Sequence, residues 1–336
     1  MKILIYSGSL KTVEKSGVGQ AVFHQMAALK AEGIDFTQNS KDDFDIVHIN
    51  TIFPDSFFFS RRCRRKKKKV VYYAHSTKED FKNSFTGSNL LAPVFKWWIK
   101  RCYNGGDILI TPTEYSKSLL DGYGLKRKIV PLSNGIDLTH YAPSEDGALE
   151  FRQKYGYGPE DKVVISVGHY MNRKGIVDFV ELARRLPEYK FIWFGYTPPS
   201  ACTADVRQAV KTQLPNLTFA GYATQEELKK AYSGSDMFLF LTHEETEGIV
   251  MLEAMAMKLT VLVRDIPIYS TMLTDGVNAY KACDNDGFEQ KIKGILSGSL
   301  PSTADGGYEF VKQRDIPYIG KRLHEIYDEL LAQNRS

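Results

Sequence analysis

Cysteine is scarce in this sequence, and its four cysteines lie far apart. Cys63, Cys102, Cys202 and Cys283 form no CxxC pair, although many structural zinc sites and redox sites need that spacing. We therefore expect neither a disulfide framework nor a cysteine-based metal site. Reduced thiols of this kind are typical of a cytosolic protein.

Long apolar runs are also absent. Runs such as Met237–Thr242 are much shorter than the roughly 20 apolar residues that a membrane-spanning helix needs. The opening stretch, MKILIYSG, lacks the longer apolar segment and the cleavage site of a signal peptide. It reads as a first β-strand, and we expect the protein to stay in the cytoplasm.

Charge is distributed unevenly along the chain. The 336 residues carry a net charge of +4, and a chain of this length is long enough for two domains. Residues 1–140 contain 22 lysines and arginines against 13 acidic residues, a net charge of +9, and the remainder has a net charge of −5. This asymmetry indicates that the first half faces an anionic partner.

Two sets of short apolar runs predict two parallel β-sheets. The first set lies at Ile3–Tyr6, Ile46–Ile49, Val70–Ala74, Ile108–Thr111 and Ile129–Pro131. The second set lies at Val163–Val167, Phe191–Phe194, Leu217–Ala220, Met237–Leu241 and Thr260–Val263. Amphipathic segments of helical length separate the runs, and this alternation predicts two doubly wound α/β domains, at 1–137 and 138–316. Residues 134–150 read as the linker between them.

A glycine turn follows the first predicted strand. In KSGVGQ, the residues Gly17, Val18 and Gly19 open a helix whose first N–H groups can face an anion. A plain strand-to-helix turn explains the pattern equally well, because the third glycine of a dinucleotide fingerprint is missing.

A basic loop follows the first strand of the second set. In VGHYMNRKG, Arg173 and Lys174 fall where a helix begins, which is an unfavourable place for cations. A bound anion would neutralise them, so the loop is a candidate anion site. The alternative is an ordinary solvated loop.

The third motif, EETEGIVMLEAMA, holds two glutamates, Glu245 and Glu253, on either side of a predicted helix start. Gly248, Ile249 and Val250 would present backbone N–H groups there, as a diphosphate cradle. Glu253, one turn further on, could accept hydrogen bonds from ribose hydroxyls. The alternative is a solvated acidic loop before a core helix.

Taken together with His75 after a strand, these three motifs resemble the retaining glycosyltransferases of family four. The resemblance covers nearly the whole chain, and its specific part is the glutamate pair in its EGIVMLEAMA frame. It implies the GT-B fold, in which two Rossmann-like α/β domains face a cleft. It also implies a UDP-sugar donor, no metal or other cofactor, and a C-terminal helix, at 317–336, that crosses back onto the first domain.

The resemblance implies a role for each matched residue. Lys174 corresponds to the family's lysine on the donor diphosphate, Glu253 to the glutamate on the ribose, and Glu245 to the glutamate near the donor sugar. His75 corresponds to the active-site histidine beside that sugar. Fixed cations and N–H groups would stabilise the charge that builds on the leaving diphosphate.

One departure from the family concerns an arginine. Many members have Gly-Arg at the end of the strand, where this chain has Gly168 and His169. The arginine's role, catalytic and donor-binding, falls either to Arg173 or to His169.

A dense basic run precedes His75. Eight of its nine residues are cationic: Arg61, Arg62, Arg64, Arg65, Lys66, Lys67, Lys68 and Lys69. A solvated helix end is one explanation. A nucleic-acid contact is not expected, because no base-stacking aromatic pattern or nucleic-acid fold signature accompanies the run.

An anionic membrane surface explains the run better. Four phenylalanines precede it, and the segment NLLAPVFKWWIKRCY follows, where Trp97 and Trp98 lie near Lys100 and Arg101. Tryptophan beside lysine on an amphipathic helix is typical of membrane interfaces. The alternative is that both tryptophans pack into the core of the first domain.

The membrane interpretation narrows the acceptor. Residues 78–91 and the TEGIV loop resemble those of bacterial glycosyldiacylglycerol synthases. That likeness implies transfer of glucose or galactose from a UDP-sugar to monoglucosyldiacylglycerol at the cytoplasmic face of the plasma membrane. The alternatives are first-step transfer to diacylglycerol, or a soluble transferase for polysaccharide or protein.

Overall fold

The computed structural model describes residues 1–9 and 16–332, so Lys15 of the glycine turn and the last four residues lie outside the described part. The chain divides into two compact units. Unit 1 comprises Met1–Phe81, Leu90–Asp137 and Gln313–Ser336, and unit 2 comprises Lys82–Asn89 and Leu138–Lys312. Unit 2 therefore takes one short segment from the first half of the sequence.

Unit 1 is built on a parallel sheet of six strands in the order β2-β1-β3-β4-β5-β6. The strands are β1 Lys2–Tyr6, β2 Asp35–Thr37, β3 Ile46–Ile49, β4 Lys69–Tyr73, β5 Ile108–Thr111 and β6 Lys128–Pro131. Apolar clusters cover the sheet on both faces, which explains why its central strands are continuous apolar runs.

The helices of unit 1 cover that sheet. They are α1 Gly17–Ala31, α2 Pro54–Arg65, α3 Lys78–Phe81, α4 Ser88–Tyr103, α5 Glu114–Asp121 and the C-terminal α14 Ile316–Ala332. Only the first two residues of α4 belong to unit 2. Helix α14 packs against α1, and its residues Leu323, Ile326 and Leu330 are buried in the same cluster as the β1 residues Ile3 and Ile5.

Unit 2 contains a second parallel six-stranded sheet, in the order β12-β11-β10-β7-β8-β9. The strands are β7 Val163–Val167, β8 Lys190–Phe194, β9 Leu217–Gly221, β10 Met237–Phe240, β11 Thr260–Arg264 and β12 Tyr280–Ala282. The helices are α6 Glu145–Tyr155, α7 Ile176–Arg185, α8 Ala204–Val210, α9 Gln225–Gly234, α10 Ile249–Ala256, α11 Pro267–Met272, α12 Asn285–Ser297 and α13 Ala304–Lys312.

The sheets confirm the predicted α/β fold with two doubly wound domains. The ten predicted strands are all present, and the Thr224–Glu227 capping box opens α9. Two strands were missed, β2 and β12, and each is a three-residue strand at a sheet edge. The predicted linker at 134–150 was too long, because Ser144 caps α6 through a hydrogen bond from Gly147 N and the helix begins at Glu145.

In residues 1–9 and 16–332 no helix is long and apolar enough to cross a membrane.

Candidate active site

The order of strands in unit 2 reverses between β7 and β10, which are adjacent in the sheet. Ligands of open α/β sheets bind beyond the carboxyl ends of the strands at such a switch point. The loop after β7 carries His169, Arg173 and Lys174, and the loop after β10 carries Glu245 and Gly248. The fold therefore brings the second and third sequence motifs to one edge of the sheet.

Lys174 and Glu245 form a buried ion pair. The Lys174 ammonium donates to Oε2 of Glu245, and their side chains are only 14% and 9% exposed. Oε1 of Glu245 accepts from Thr246 N at 3.1 Å. Burial alone would raise the pKa of Glu245, but the charges of Lys174 and Arg173 outweigh it and hold that pKa below its usual value. Glu245 is therefore a carboxylate at neutral pH.

Arg173 connects three segments of unit 2. Its Nε donates to Ser84 Oγ at 3.1 Å and its Nη1 to the Glu244 carbonyl at 2.9 Å. Its backbone N–H donates to the Asn83 carbonyl at 3.1 Å, and its carbonyl accepts from His243 N at 2.7 Å. These bonds hold the loops after β7 and β10 together, so the guanidinium lies beside the Glu245 loop.

Gly248 is the residue that allows α10 to begin where it does. Its φ of +92° lies in the left-handed region, and a Cβ there would sit 2.7 Å from Tyr269 Oη and 2.9 Å from Phe240 Cε1. Glycine avoids both problems. Ile249 and Val250 follow as the first turn of α10, whose N–H groups have no partner within the helix. The positive end of the helix therefore begins four residues after Glu245 in the sequence.

Glu253 is buried, and tyrosine hydroxyls contact both of its oxygens. Tyr141 donates to Oε1 at 2.8 Å and Tyr232 to Oε2 at 2.9 Å. Burial raises the pKa of Glu253 to about 7, although both hydroxyls act to lower it. Each oxygen keeps a second lone pair with which it can accept a ligand hydroxyl.

His169 lies at the start of the loop after β7. Its Nδ1 is 2.9 Å from the Tyr196 carbonyl, which identifies Nδ1 as the protonated nitrogen because a carbonyl only accepts. Desolvation lowers the pKa of His169, and the neighbouring Lys174 and Arg173 lower it further. The ring is therefore neutral near pH 7.

In unit 1, His75 follows the end of β4. Its ring is half-buried and stacks on the Tyr73 ring, with centroids 4.2 Å apart. Desolvation lowers the pKa of His75 to about 3, so the imidazole is neutral. The glycine turn lies in the same unit, where Gly17 is the first residue of α1 and Val18 and Gly19 continue its first turn.

The basic run forms the end of α2 and the turn into β4. Arg61, Arg62, Arg65, Lys66 and Lys67 are exposed. Two other members have internal partners, since Arg64 pairs with Asp107 at 3.5 Å and Lys68 with Asp43 at 2.9 Å. Lys69 is the first residue of β4. Six of the eight cations, Arg64 among them, are therefore exposed, and Lys68 and Lys69 are partly buried.

Helix α4 presents an exposed apolar face, which consists of Leu90, Leu91, Val94 and Trp97. Trp97 is 53% exposed and lies under the Arg101 guanidinium at 4.3 Å. Lys96, Lys100 and Arg101 line a shallow surface groove beside it. Trp98 is placed differently, because its indole donates to the Ile52 carbonyl at 2.7 Å and packs against the core.

The sequence motifs did not indicate three residues that contact the candidate site residues: Tyr141, Tyr232 and Asn50. The tyrosines lie 112 and 21 residues from Glu253 in the chain. Asn50, whose Oδ1 is 3.2 Å from His75 Nε2, follows β3 just as His75 follows β4. Its place at the carboxyl end of a neighbouring strand was the available signal.

Two family models match the chain side by side. The model of glycosyl transferases group 1 matches residues 148–305, and that of glycosyltransferase family 4 matches residues 16–140. A processive diacylglycerol α-glucosyltransferase from Acholeplasma laidlawii is 38% identical over 336 residues, the whole of both chains. The chain belongs to glycosyltransferase family 4. The resemblance seen in its motifs is thereby confirmed, and the protein is a glycosyltransferase.

Two further proteins are similar to this chain at lower identity. An α-galactosylglucosyldiacylglycerol synthase from Streptococcus pneumoniae is 25% identical over 72% of this chain and 66% of its own. A solved structure of Anabaena HepE in complex with UDP and glucose has a TM-score of 0.77 at 16% identity, over 98% of this chain and 99% of that chain. This structural likeness confirms the GT-B fold.

Proposed function

We propose that the protein is a membrane-associated, retaining glycosyltransferase that moves glucose from UDP-glucose to diacylglycerol and to the monoglucosyldiacylglycerol it forms. The observation that carries the proposal is the 38% identity, over the full length of both chains, to the processive enzyme of Acholeplasma laidlawii. The sequence motifs alone led us to expect an enzyme of the second step, transfer to monoglucosyldiacylglycerol. The proposal now includes the first step, transfer to diacylglycerol, as well.

The donor half of the reaction falls to unit 2. Departure of UDP leaves negative charge on the β-phosphate, and fixed positive groups stabilise that charge. Lys174 and the N–H groups of Ile249 and Val250 supply these positive groups without a metal ion. Glu253 accepts hydrogen bonds from the ribose, and Glu245 orients Lys174 next to the sugar.

The second cation of this site is Arg173 rather than His169. A guanidinium keeps its charge at every accessible pH, whereas His169 is neutral and its Nδ1 proton is donated to the Tyr196 carbonyl. Arg173 therefore fills the part that the family assigns to the arginine after the strand.

His75 binds the transferred sugar. Because its imidazole is neutral, it serves as a hydrogen-bond partner for a sugar hydroxyl and carries no charge to the site. Retention of configuration requires attack from the face that the leaving group vacates, so a general-base carboxylate is not part of the scheme.

The acceptor half falls to the surface of unit 1, which docks on an anionic bilayer at the cytoplasmic face of the plasma membrane. The apolar face of α4 exposes Leu90 at 84% and Val94 at 61%, and Phe58 of α2 is 66% exposed. Exposed cations of the basic run lie on the same helix as Phe58. Apolar side chains beside a basic cluster favour an interfacial membrane contact.

The test is a transfer assay with labelled UDP-glucose and anionic vesicles that contain diacylglycerol or monoglucosyldiacylglycerol. We expect label in monoglucosyl and diglucosyl lipid from the first acceptor, and in diglucosyl lipid from the second. Lys174→Ala, assayed beside the surface variant Lys211→Ala, controls for a contaminating activity. Absence of lipid product with either acceptor would refute the lipid assignment.

Galactose is the second candidate for the transferred sugar. The α-galactosylglucosyldiacylglycerol synthase of Streptococcus pneumoniae is also similar to this chain, and glucose and galactose differ only at the C4 hydroxyl, which one contact can discriminate. Parallel assays with labelled UDP-galactose decide between the donors by the ratio of their kcat/KM values.

A further inference from the structure

A chain of buried polar side chains ends at His75. Its members come from α1, β3 and its following loop, and α14, all in unit 1: Gln25, His48, Asn50 and Tyr327. All four are at most 3% exposed. Buried polar groups are costly unless they are paired. These four side chains are paired with one another, so each hydrogen bond restricts the next one.

The hydrogen bond between Asn50 and Gln25 determines which atom of Asn50 faces His75. Asn50 Nδ2 donates to Gln25 Oε1 at 2.8 Å, so Oδ1 of Asn50 faces the other way, towards His75. An amide oxygen only accepts, and His75 Nε2 is 3.2 Å away. His75 must therefore carry its proton on Nε2.

The same reasoning applies at the other end. Because Gln25 Oε1 faces Asn50, Nε2 of Gln25 faces His48 Nδ1, which also lies 2.7 Å from the Tyr327 hydroxyl. His48 anchors the chain between two helices and a strand. Gln25 is held at both ends of its amide and cannot turn over without breaking two buried bonds.

We propose that Asn50, fixed by Gln25, is a positioning residue that holds His75 as the Nε2–H tautomer and presents Nδ1 as the acceptor for a hydroxyl of the transferred sugar. The proposal rests on the proposed role of His75. In the described part of the chain, Nε2 is the ring nitrogen with a protein partner. Stacking on Tyr73, whose hydroxyl donates to the Leu132 carbonyl at 2.6 Å, fixes the plane of the ring.

The direct test measures the tautomer in protein labelled with ¹⁵N-histidine. The chain has seven histidines, and the His75 signals are those lost in His75→Gln. We expect Nε2 protonated and Nδ1 bare in the wild type, and a mixture of tautomers in Asn50→Ala, which has no acceptor for the Nε2 proton. Wild-type His75 protonated on Nδ1, or unchanged signals in Asn50→Ala, would overturn the proposal.

Kinetics separate positioning from structural support. Asn50→Ala should lower kcat about 10- to 100-fold, as loss of an orienting partner does, with less than threefold change in KM for the UDP-sugar. Thr51→Val is the matched control: it removes the adjacent buried hydroxyl, which donates to the Gly8 carbonyl at 2.9 Å and does not contact His75. Equal losses in the two variants would contradict a positioning role.

The tautomer experiment also distinguishes this proposal from the function on which it rests. If His75→Gln retains full turnover, the assigned role of His75 is wrong, and the ¹⁵N signals still decide whether Asn50 sets the tautomer. If His75→Gln is inactive and Asn50→Ala is fully active, the positioning proposal alone fails.

Discussion

The Tyr141 hydroxyl donates a 2.8 Å hydrogen bond to Glu253 across 112 residues of chain, in a buried site where the pKa of Glu253 rises to about 7. The folded protein thus binds this carboxyl's proton more tightly than the unfolded chain does, for which 4.5 is the reference pKa. A carboxylate so placed costs stability in the unliganded protein, and the proposed ribose contact would give it further hydrogen-bond partners.

The first prediction concerns the stability of Glu253→Gln. A raised carboxyl pKa means that the stabilising contribution is complete below pH 4.5 and is lost as the pH rises through 7. Glutamine has no such dependence, so Glu253→Gln should gain stability relative to the wild type between pH 5 and pH 8, by up to about 3 kcal/mol. Urea unfolding at both pH values measures the gain.

The control for this variant is Glu160→Gln, at an exposed position. Because Glu160 lies outside the buried site, this variant measures the effect of the Glu-to-Gln change itself. Calorimetry should in turn show that Glu253→Gln binds UDP more weakly by about 1–3 kcal/mol, because an amide presents a donor where the ribose needs an acceptor. A parallel pH dependence of Glu253→Gln and wild type would contradict the raised pKa.

Sequence patterns predicted the two sheets because their central strands, such as Val163–Val167, are buried on both faces and read as apolar runs. The edge strand Asp35–Thr37 has no buried residue and so left no such pattern. Motifs also located the Lys174 and Glu245 loops. Tyr141 and Tyr232 were not predicted as partners of Glu253, because they lie far from it in the sequence and only the folded structure brings them into contact.

A second prediction concerns the Lys174–Glu245 pair. Lys174→Met leaves a buried carboxylate without its cation and should destabilise the protein by about 3–5 kcal/mol. Removing both charges, in Lys174→Met with Glu245→Gln, should recover most of that loss, because no uncompensated charge remains. Urea unfolding of the two single variants and the double variant gives the coupling energy.

Activity, unlike stability, should not recover in the double variant. The single Lys174→Met and the double variant should both lose about 10²- to 10³-fold in kcat, the size expected for one lost contact to a developing anion. A double variant that regained turnover along with stability would show that Lys174 acts only as a structural partner of Glu245.

The third prediction concerns Gly248→Ala. Its positive φ costs alanine roughly 1–2 kcal/mol, and its Cβ would also collide with Tyr269 and Phe240. Gly298→Ala is the matched control, since its φ is +74° and nothing lies within 4 Å of its Cβ position. Urea unfolding should show a larger loss for Gly248→Ala, and UDP affinity should fall in that variant alone. Equal losses would mean that φ is the whole effect.

The last prediction concerns the proposed membrane surface of unit 1, and it tests two exposed cations of the basic run. Arg65 and Lys66 are exposed, so changing both to Gln should leave the fold intact and weaken binding to anionic vesicles by roughly fivefold for each residue. Lys41→Gln with Lys211→Gln removes the same charge from other exposed positions. Sedimentation should show weakened binding in the first pair alone, with the difference shrinking at high salt.

Trp97→Ser tests the apolar part of the same surface. Leu149→Ser is its control, because Leu149 is equally exposed, 58% against 53%, and lies in unit 2. Trp97→Ser should weaken vesicle binding at high salt as well as low, since burial of apolar area is not screened. It should lower transfer to vesicle-borne lipid and leave transfer to a detergent-dispersed short-chain acceptor unchanged. Unchanged sedimentation of both Trp97→Ser and the Arg65/Lys66 pair would mean that this surface does not dock on membranes.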